Sequence, residues 1–281
     1  MKNVIIWGTG QGGRMIASLL HGDITIRAYT DSDEKKWGGD VDGIPIIEPA
    51  AIPGMDPDAV FISMLNKDAC AEVRARLEGM GVRARIVTAP ELRQTFDLRL
   101  AALKMIALEI RERNIAGAIA ELGVYRGDFA LQMNRLFPDR DLYLFDTFEG
   151  FDQRDVAVEG EQKFSRAAVG NFADTSLQAV RERLPHPDRA VFRAGYFPET
   201  AKGLNEAFAV VSLDADLYKP LYEGLNFFYP RMTPGGYIII HDYNNSRFSG
   251  ARHAVRRFCE ENQVFVVPLS DLHGTGIMVK P

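Results

Sequence analysis

Short runs of apolar and β-branched residues alternate along this chain with longer stretches in which apolar positions recur every three or four residues. The short runs predict strands at residues 4–7, 24–29, 59–64 and 84–87, with helices at 13–20 and 67–80 between them. Residues 91–114 contain neither glycine nor proline, and Leu98, Ala101, Ala102, Met105 and Ile106 fall at helical spacing. That stretch predicts one long bridging helix. The alternation then restarts, with strands at 117–122, 141–145, 190–193, 209–213, 237–241, 264–268 and 276–279, and helices at 128–137 and 220–229. Strands that alternate with helices form βαβ units and a parallel sheet. The expected fold is therefore α/β, with two doubly wound parallel-sheet domains at residues 1–90 and 114–281, joined through residues 91–113.

Each unit opens with a glycine-bearing βα turn. In the first, Gly8, Gly10 and Gly13 fit G-x-G-x-x-G, and Asp31 follows the next strand. This is the outline of a dinucleotide fingerprint, and a nicotinamide-dependent oxidoreductase is one reading of it. A full dinucleotide domain needs two mononucleotide halves, however, and about 90 residues supply only one. No hydride-transfer residue set follows the turn.

The second turn reads E-x-G-x-x-x-G: Glu121 ends a strand, and Gly123 and Gly127 lead into a helix. In a doubly wound sheet the ligand sits at the carboxyl ends of the strands, where glycine admits it to the backbone. A carboxylate there suits a ligand rich in amine and hydroxyl donors. Asp146 ends the next strand, a position from which an acid can accept both hydroxyls of a ribose. Together these residues point to an adenosine-containing ligand. The alternative for each acid is a cap or loop carboxylate.

Two later apolar strands also end in ionisable residues, Asp214-Ala215-Asp216 and His241-Asp242. Adjacent strand ends would bring Asp214, His241 and Asp242 to one rim. Carboxylates packed so closely need a compensating cation, and mixed oxygen and imidazole donors suit Mg²⁺ or Mn²⁺. The bland alternative is a set of solvated loop acids. Asp216 is either part of this set or a cap for the following helix.

Composition narrows the function classes. The 281 residues are 46% hydrophobic and 25% charged, ordinary values for a chain with a real core. A net charge of −5 argues against nucleic acid as a partner. No apolar run approaches the ~20 residues that span a bilayer, and the first residues lack a signal-peptide pattern, so a cytoplasmic protein without membrane attachment is expected. Cys70 and Cys259 are far apart and read as free thiols. Trp7, Trp37 and Phe227-Phe228-Tyr229 read as packing. Residues 152–170, polar and short of helix or strand signals, read as a lid over an acceptor, with Lys163 and Arg166 as weak substrate contacts. His253, with Arg252, Arg256 and Arg257, reads as a solvated helix face or a contact for an acidic substrate. Association into a homo-oligomer is left open.

The ordered set ELGVYRGDFA, LYLFDTFEGF, GYFPET, LDADLYKPLYEGL, TPGGYIIIHDY and GARHAVRRF, spanning roughly residues 114–258, resembles the S-adenosylmethionine-dependent O-methyltransferases of the macrocin O-methyltransferase kind. The LDAD and GGYIIIHD segments are also similar to metal-dependent catechol-type O-methyltransferases. The resemblance implies that Glu121, Gly123, Tyr125, Gly127, Asp146 and Thr147 line S-adenosylmethionine. It implies that Asp214, His241 and Asp242 hold Mg²⁺ or Mn²⁺, with Asp214 as general base. Those sugar methyltransferases usually carry Asp-Asp where this chain has His241-Asp242. A neutral imidazole there would soften the site and favour a transition metal, or His241 would itself be the base. The first unit resembles the small nucleotide-sugar-binding domain found before some sugar-modifying enzymes. Gly8, Gly10 and Gly13 would then receive a diphosphate, with Asp31 near the nucleoside. The alternative for that unit is a packing or dimerisation role. The sequence reading is thus a methyltransferase acting on a hydroxyl of a sugar, nucleotide-sugar-like or other polyhydroxy small molecule. Its competitors are an oxidoreductase and a non-catalytic cofactor-binding protein.

Overall fold

The computed structural model describes residues 1–281, and the chain divides into two compact units. One comprises Met1–Asp97 with Ser270–Leu272, the other Leu98–Leu269 with His273–Pro281.

The first unit runs β1 (Asn3–Trp7), α1 (Gln11–Leu19), β2 (Thr25–Thr30), β3 (Asp40–Val41), β4 (Ile44–Ile47), α2 (Ile52–Met55), β5 (Ala59–Ile62), α3 (Lys67–Gly79), β6 (Arg85–Thr88) and α4 (Ala89–Thr95). Its six strands lie in the order β3-β4-β2-β1-β5-β6. All pairs are parallel except β3 on β4. The central strands are continuous apolar runs because both faces of the sheet are covered. Val4, Ile6 and Phe61 enter one core, while Ile5, Trp7, Val60 and Ile62 enter the other.

The second unit runs α5 (Leu98–Glu112), β7 (Ala118–Leu122), α6 (Asp128–Leu136), β8 (Leu142–Asp146), α7 (Gln153–Gln162), α8 (Leu177–Arg183), β9 (Ala190–Ala194), β10 (Phe208–Leu213), α9 (Tyr218–Phe228), β11 (Met232–Ile240), α10 (Ser249–Asn262), β12 (Val267–Pro268) and β13 (Gly276–Val279). The strand order is β12-β13-β11-β10-β7-β8-β9. Only β13 runs antiparallel to its neighbours. The chain winds outward from β7 through β8 and β9, then restarts on the other side at β10. The carboxyl edge between β7 and β10 is therefore the topological switch point, where such sheets bind ligands. As in the first unit, alternate residues feed opposite cores: Ala120, Leu122, Val211 and Leu213 one, Ile119 and Val210 the other.

Strands β3 and β4 and helices α2 and α8 were not expected from the sequence, and two expected segments differ in kind. The stretch expected as one helix is two. A Thr88–Glu91 capping box nucleates α4, and α5 is anchored by its buried Leu103, Ile106 and Ile110. The two helices meet at Phe96, which is extended (φ −131°, ψ 109°). The segment read as a structureless lid carries α7, whose N-cap Asp152 accepts from the Arg154 amide at 2.8 Å. The residues α7 buries are acids, Asp155 and Glu159, so apolar periodicity could not reveal it.

Phe228 is fully buried, with its ring centroid 5.0–5.9 Å from those of Phe145, Phe197, Phe208 and Phe227. Replacing Phe228 with Ala should cost about 3–5 kcal/mol. Guanidinium unfolding followed by far-UV circular dichroism measures this, and a loss below about 1 kcal/mol would contradict the packing described.

Candidate functional site

Sheet register places the candidate residues in one row. Leu122 pairs with Phe145 and Leu213, and Leu213 pairs with Ile240. The next residue on each strand or strand end is Gly123, Asp146, Asp214 or His241. Backbone bonds hold this row in step: Gly123 N–H donates to Phe145 O at 2.9 Å, Asp214 N–H to Leu122 O at 2.8 Å, and His241 N–H to Leu213 O at 2.9 Å. Gly123 has φ +84°, and a Cβ there would overlap the Asp214 carbonyl. Only glycine lets these two strand ends approach so closely.

Asp146 organises the glycine turn. Its Oδ2 accepts from the amides of Val124 at 2.6 Å and Tyr125 at 2.9 Å, and its Oδ1 accepts from the Phe148 amide at 2.7 Å. Gly127 is the left-handed N-cap of α6. The Tyr125 hydroxyl donates to Asp174 at 2.7 Å, and Thr147 Oγ1 donates to Gly150 O at 2.7 Å. These two side chains thus shape the turns after β7 and β8.

Glu121 is 1% exposed, with Oε1 3.5 Å from Ser212 Oγ and Oε2 without a hydrogen-bond partner. Burial pushes its carboxyl well above the usual range, against the pull of Arg99. Asp214 and Asp146 push the same way as burial. A buried acid with a free oxygen can accept one further donor.

Arg99, in the first turn of α5, was not anticipated. It is 6% exposed, donates from Nη1 to Asp214 Oδ2 at 2.9 Å and from Nη2 to Ser212 Oγ at 2.9 Å, and stacks 3.8 Å from the Phe129 ring centroid. Nothing in its local sequence separates it from a solvated helix arginine.

The second strand pair brings Asp214, His241 and Asp242 together as the spacing implied, with one candidate ligand atom on each lying within 4.8 Å of the others. His241 Nδ1 lies 2.8 Å from Asp214 Oδ1 and 2.9 Å from Asp242 Oδ2, and its Nε2 lies 3.1 Å from His273 Nδ1. His273 was also not anticipated; it comes from the loop before β13. Burial alone would lower the His241 pKa, but the Asp214 and Asp242 carboxylates together outweigh it, and the imidazole is raised to about 9. As a metal ligand His241 would first release that proton and bind as the neutral ring. Burial likewise pushes Asp214 up, yet His241 and Arg99 together hold it well below the usual carboxylate range.

Asp216 belongs to the same cluster and does not cap α9. Burial, then the Asp242 charge, push its carboxyl well above the usual range, and it shares a hydrogen bond with Asp242. The Tyr218 amide at the start of α9 goes instead to Glu159 Oε1 at 2.8 Å. The raised His241 and Asp216 both favour protons over bare charge among these crowded acids. A divalent cation would take the place of such protons, and the three oxygen and nitrogen donors suit one.

In the first unit, Gly8 has φ +111°, and Cβ atoms at Gly8 and Gly13 would overlap Ser63 Oγ and the Gly8 carbonyl; Gly10 has open space around it. Asp31 folds back on this turn. Its Oδ2 accepts from Thr9 N at 3.1 Å, Thr9 Oγ1 at 2.6 Å and Lys36 Nζ at 2.8 Å, and its Oδ1 accepts from Asp33 N at 3.1 Å. The Thr9 amide is therefore directed at Asp31. On α10, Arg257 pairs with Glu261 at 2.8 Å, Arg252 lies over Tyr243, and His253 stacks on Phe164 at 4.8 Å. Cys70 and Cys259 are free, and no helix is long and apolar enough to cross a membrane.

The profile of the family described as macrocin-O-methyltransferase (TylF) matches residues 45–280. The chain belongs to the macrocin O-methyltransferase family. A second profile, described as C2185-like, N-terminal, matches residues 1–88. Within the family, the chain is 28% identical over 191 residues to an 8-demethyl-8-(2,3-dimethoxy-alpha-L-rhamnosyl)-tetracenomycin-C 4'-O-methyltransferase of Streptomyces olivaceus, covering 64% of this chain and 71% of that protein. It is 26% identical to the demethyldecarbamoylnovobiocin O-methyltransferase of Streptomyces niveus, covering 52% and 60%. It is 30% identical to the mycinamicin III 3''-O-methyltransferase of Micromonospora griseorubida, covering 46% and 56%. The match thus spans less than two thirds of the length of the last two relatives. Among solved structures, the O-methyltransferase NovP (TM-score 0.54, 21% identity, 65% of this chain and 79% of that one) and the calicheamicin methyltransferase CalS11 (0.52, 21%, 76% and 87%) share the fold. The second unit has the class I methyltransferase sheet.

The geometry of the first turn yields a stability prediction. Burial raises the Asp31 carboxyl, but the bonds from Lys36, Thr9 and Asp33 outweigh it and hold the pKa at about 2. A depressed carboxylate stabilises the fold above the unfolded value near 4 and loses that contribution as pH falls through about 2. Asp31→Asn should cost about 2 kcal/mol at pH 7, and the deficit should shrink between pH 4 and 2. Urea unfolding followed by fluorescence of Trp7 and Trp37, the protein's two tryptophans, reads this unit directly. A deficit independent of pH would refute the assignment.

Proposed function

We propose that this protein is an S-adenosylmethionine-dependent O-methyltransferase that acts on a hydroxyl of a sugar or polyhydroxy acceptor with the aid of a divalent cation. The observation that carries the reading is the row Asp146, Gly123, Asp214, His241 at the switch point, in a chain of this family. The relatives' names support the acceptor class, since one of them is by name a methyltransferase of a rhamnosyl-bearing compound.

The residues divide the work. Glu121, with its partnerless Oε2, fits the amine and hydroxyl donors of the cofactor, and Gly123 and Gly127 keep the backbone open beside it. Asp146 both fixes the turn and borders the ribose. Bound S-adenosylmethionine supplies the methyl sulfonium. Asp214, His241 and Asp242 would hold a divalent cation, which would supply the charge that lowers the pKa of the acceptor hydroxyl. The hydroxyl oxygen would form the new C–O bond as the C–S bond breaks, its proton passing to Asp214, or to His241 where the ring is neutral and not a ligand. Arg99 keeps Asp214 ionised and in place. In the first unit, the reading gives residues 1–90 a separate ligand-positioning role, with Gly8, Gly10, Gly13 and Asp31 at its turn.

Two measurements test this. S-adenosylhomocysteine should raise the melting temperature while NAD does not, and Glu121→Ala should weaken S-adenosylhomocysteine at least tenfold by calorimetry. Stabilisation by NAD alone would instead support an oxidoreductase. For the metal, Mn²⁺ or Mg²⁺ should stabilise the wild-type protein but not Asp214→Ala, and His241→Asp should shift the preference towards Mg²⁺. Equal metal stabilisation of Asp214→Ala would remove the cation from the mechanism.

A further inference from the structure

A cavity of about 730 Å³ in the second unit is bordered by Lys163, Arg166 and Arg247, with Ser165, Asn171 and Ser246 among the other lining residues. Its volume lies in the range of small-molecule sites. No lining residue is acidic. None of the three cations forms an ion pair, although the protein carries a net charge of −5 and pairs many of its other arginines. All three cations are solvent-exposed, and Arg247 also feels the charge of Asp216, so a positive rim faces an incoming anion without any of the three being locked in an ion pair.

The cavity wall is tied to the acid cluster by specific bonds. Glu159, fully buried, accepts from Ser165 Oγ at 2.5 Å and from the Tyr218 amide at 2.8 Å, two residues beyond Asp216. Ser249 Oγ donates to Phe164 O at 2.6 Å, pinning the Lys163–Arg166 side to the start of α10. On the other side, Asn245 donates from Nδ2 to Asp242 and accepts the Arg247 amide on its Oδ1 at 2.9 Å. One asparagine thus joins a candidate metal ligand to a cavity cation.

We propose that this cavity binds an oxyanion carried by the acceptor, specifically the phosphoryl group of a sugar phosphate. The inference rests on the methyltransferase reading only for the word acceptor. A phosphoryl group carries about −1.5 to −2 charges at pH 7 and three acceptor oxygens, whereas a carboxylate offers one charge for three cations. Arg166 and Arg247 supply the planar forks that match phosphate oxygens. The Ser246 hydroxyl and the Asn171 amide add polar groups beside the apolar Phe164, Ala167 and Phe248.

Calorimetric titration of the full chain at low salt, with inorganic pyrophosphate, glucose 1-phosphate, glucuronate and glucose as probes, tests the proposal. Pyrophosphate and glucose 1-phosphate should bind, glucuronate more weakly, and glucose least. The Lys163→Ala/Arg166→Ala/Arg247→Ala triple variant should lose at least tenfold in affinity for both phosphates, while Arg166→Lys keeps most of it. S-adenosylhomocysteine affinity, measured in parallel, should be the same in all variants and reports that they are folded. Phosphate binding undiminished in the triple variant would place the anion site elsewhere and overturn the proposal. Glucuronate binding as tightly as glucose 1-phosphate would overturn the phosphoryl assignment. Failure of wild-type protein to bind S-adenosylhomocysteine would count against the methyltransferase reading, and the phosphate titrations would still decide the anion site.

Discussion

A buried guanidinium is the constraint on which the second unit's site depends. Arg99 is 6% exposed, and Asp214 faces it at 2.9 Å. A charge so placed is costly unless paired, and removing either partner strands the other. The pairing fixes the Asp214 carboxylate at the switch point, and Asp214 in turn draws a proton onto His241. His241 then bridges to Asp242, and Asp242 to Asp216 and Asn245. Most of what distinguishes this strand edge from an ordinary one follows from that chain of charges. Glu121, beside the same arginine but without a direct bond to it, is pushed towards its neutral form chiefly by its own burial.

The two units use one structural device for different ends. In each, an acid that ends or follows the second strand folds back on the first glycine turn: Asp31 on Thr9, Asp146 on Val124 and Tyr125. The carboxylate replaces the partners that a tight turn leaves its amides without. In the first unit Lys36 completes the acid's coordination, and the turn is self-contained. In the second the turn stands beside a buried acid with a free oxygen and a glycine that a Cβ would obstruct. The louder glycine motif thus belongs to the turn whose polar groups satisfy one another, and the quieter one to the turn that leaves a buried group unmatched.

Helix α7 shows how polar burial can carry structure. Asp155 and Glu159 occupy its inward positions, where apolar residues would be usual. Asp155 accepts from the Tyr196 hydroxyl at 2.7 Å, and Glu159 ties the start of α9 to Ser165. Satisfied acids of this kind specify one arrangement of a loop-rich region more narrowly than apolar contact does. Through Ser165, Glu159 also ties down the Lys163–Arg166 side of the cavity.

Period and punctuation in the sequence determined most strands and helices and the residues that end them, but not the short edge strands β3 and β4. Apolar runs such as 210–213 and 237–240 announce buried parallel strands, and residue type alone marks Glu121, Asp146, Asp214 and Asp242 as strand-end acids. Register, the reversal of strand order between β7 and β10, and the identity of each acid's partner were settled only by tertiary structure. Arg99 and His273 lie 115 and 32 residues from the partners they meet, and no local pattern encodes such a meeting. The division of residues 91–114 into two helices, the helix within residues 152–170 and the charge on His241 share that origin. Each depends on which groups burial brings face to face, and desolvation, unlike periodicity, is a property of the folded neighbourhood.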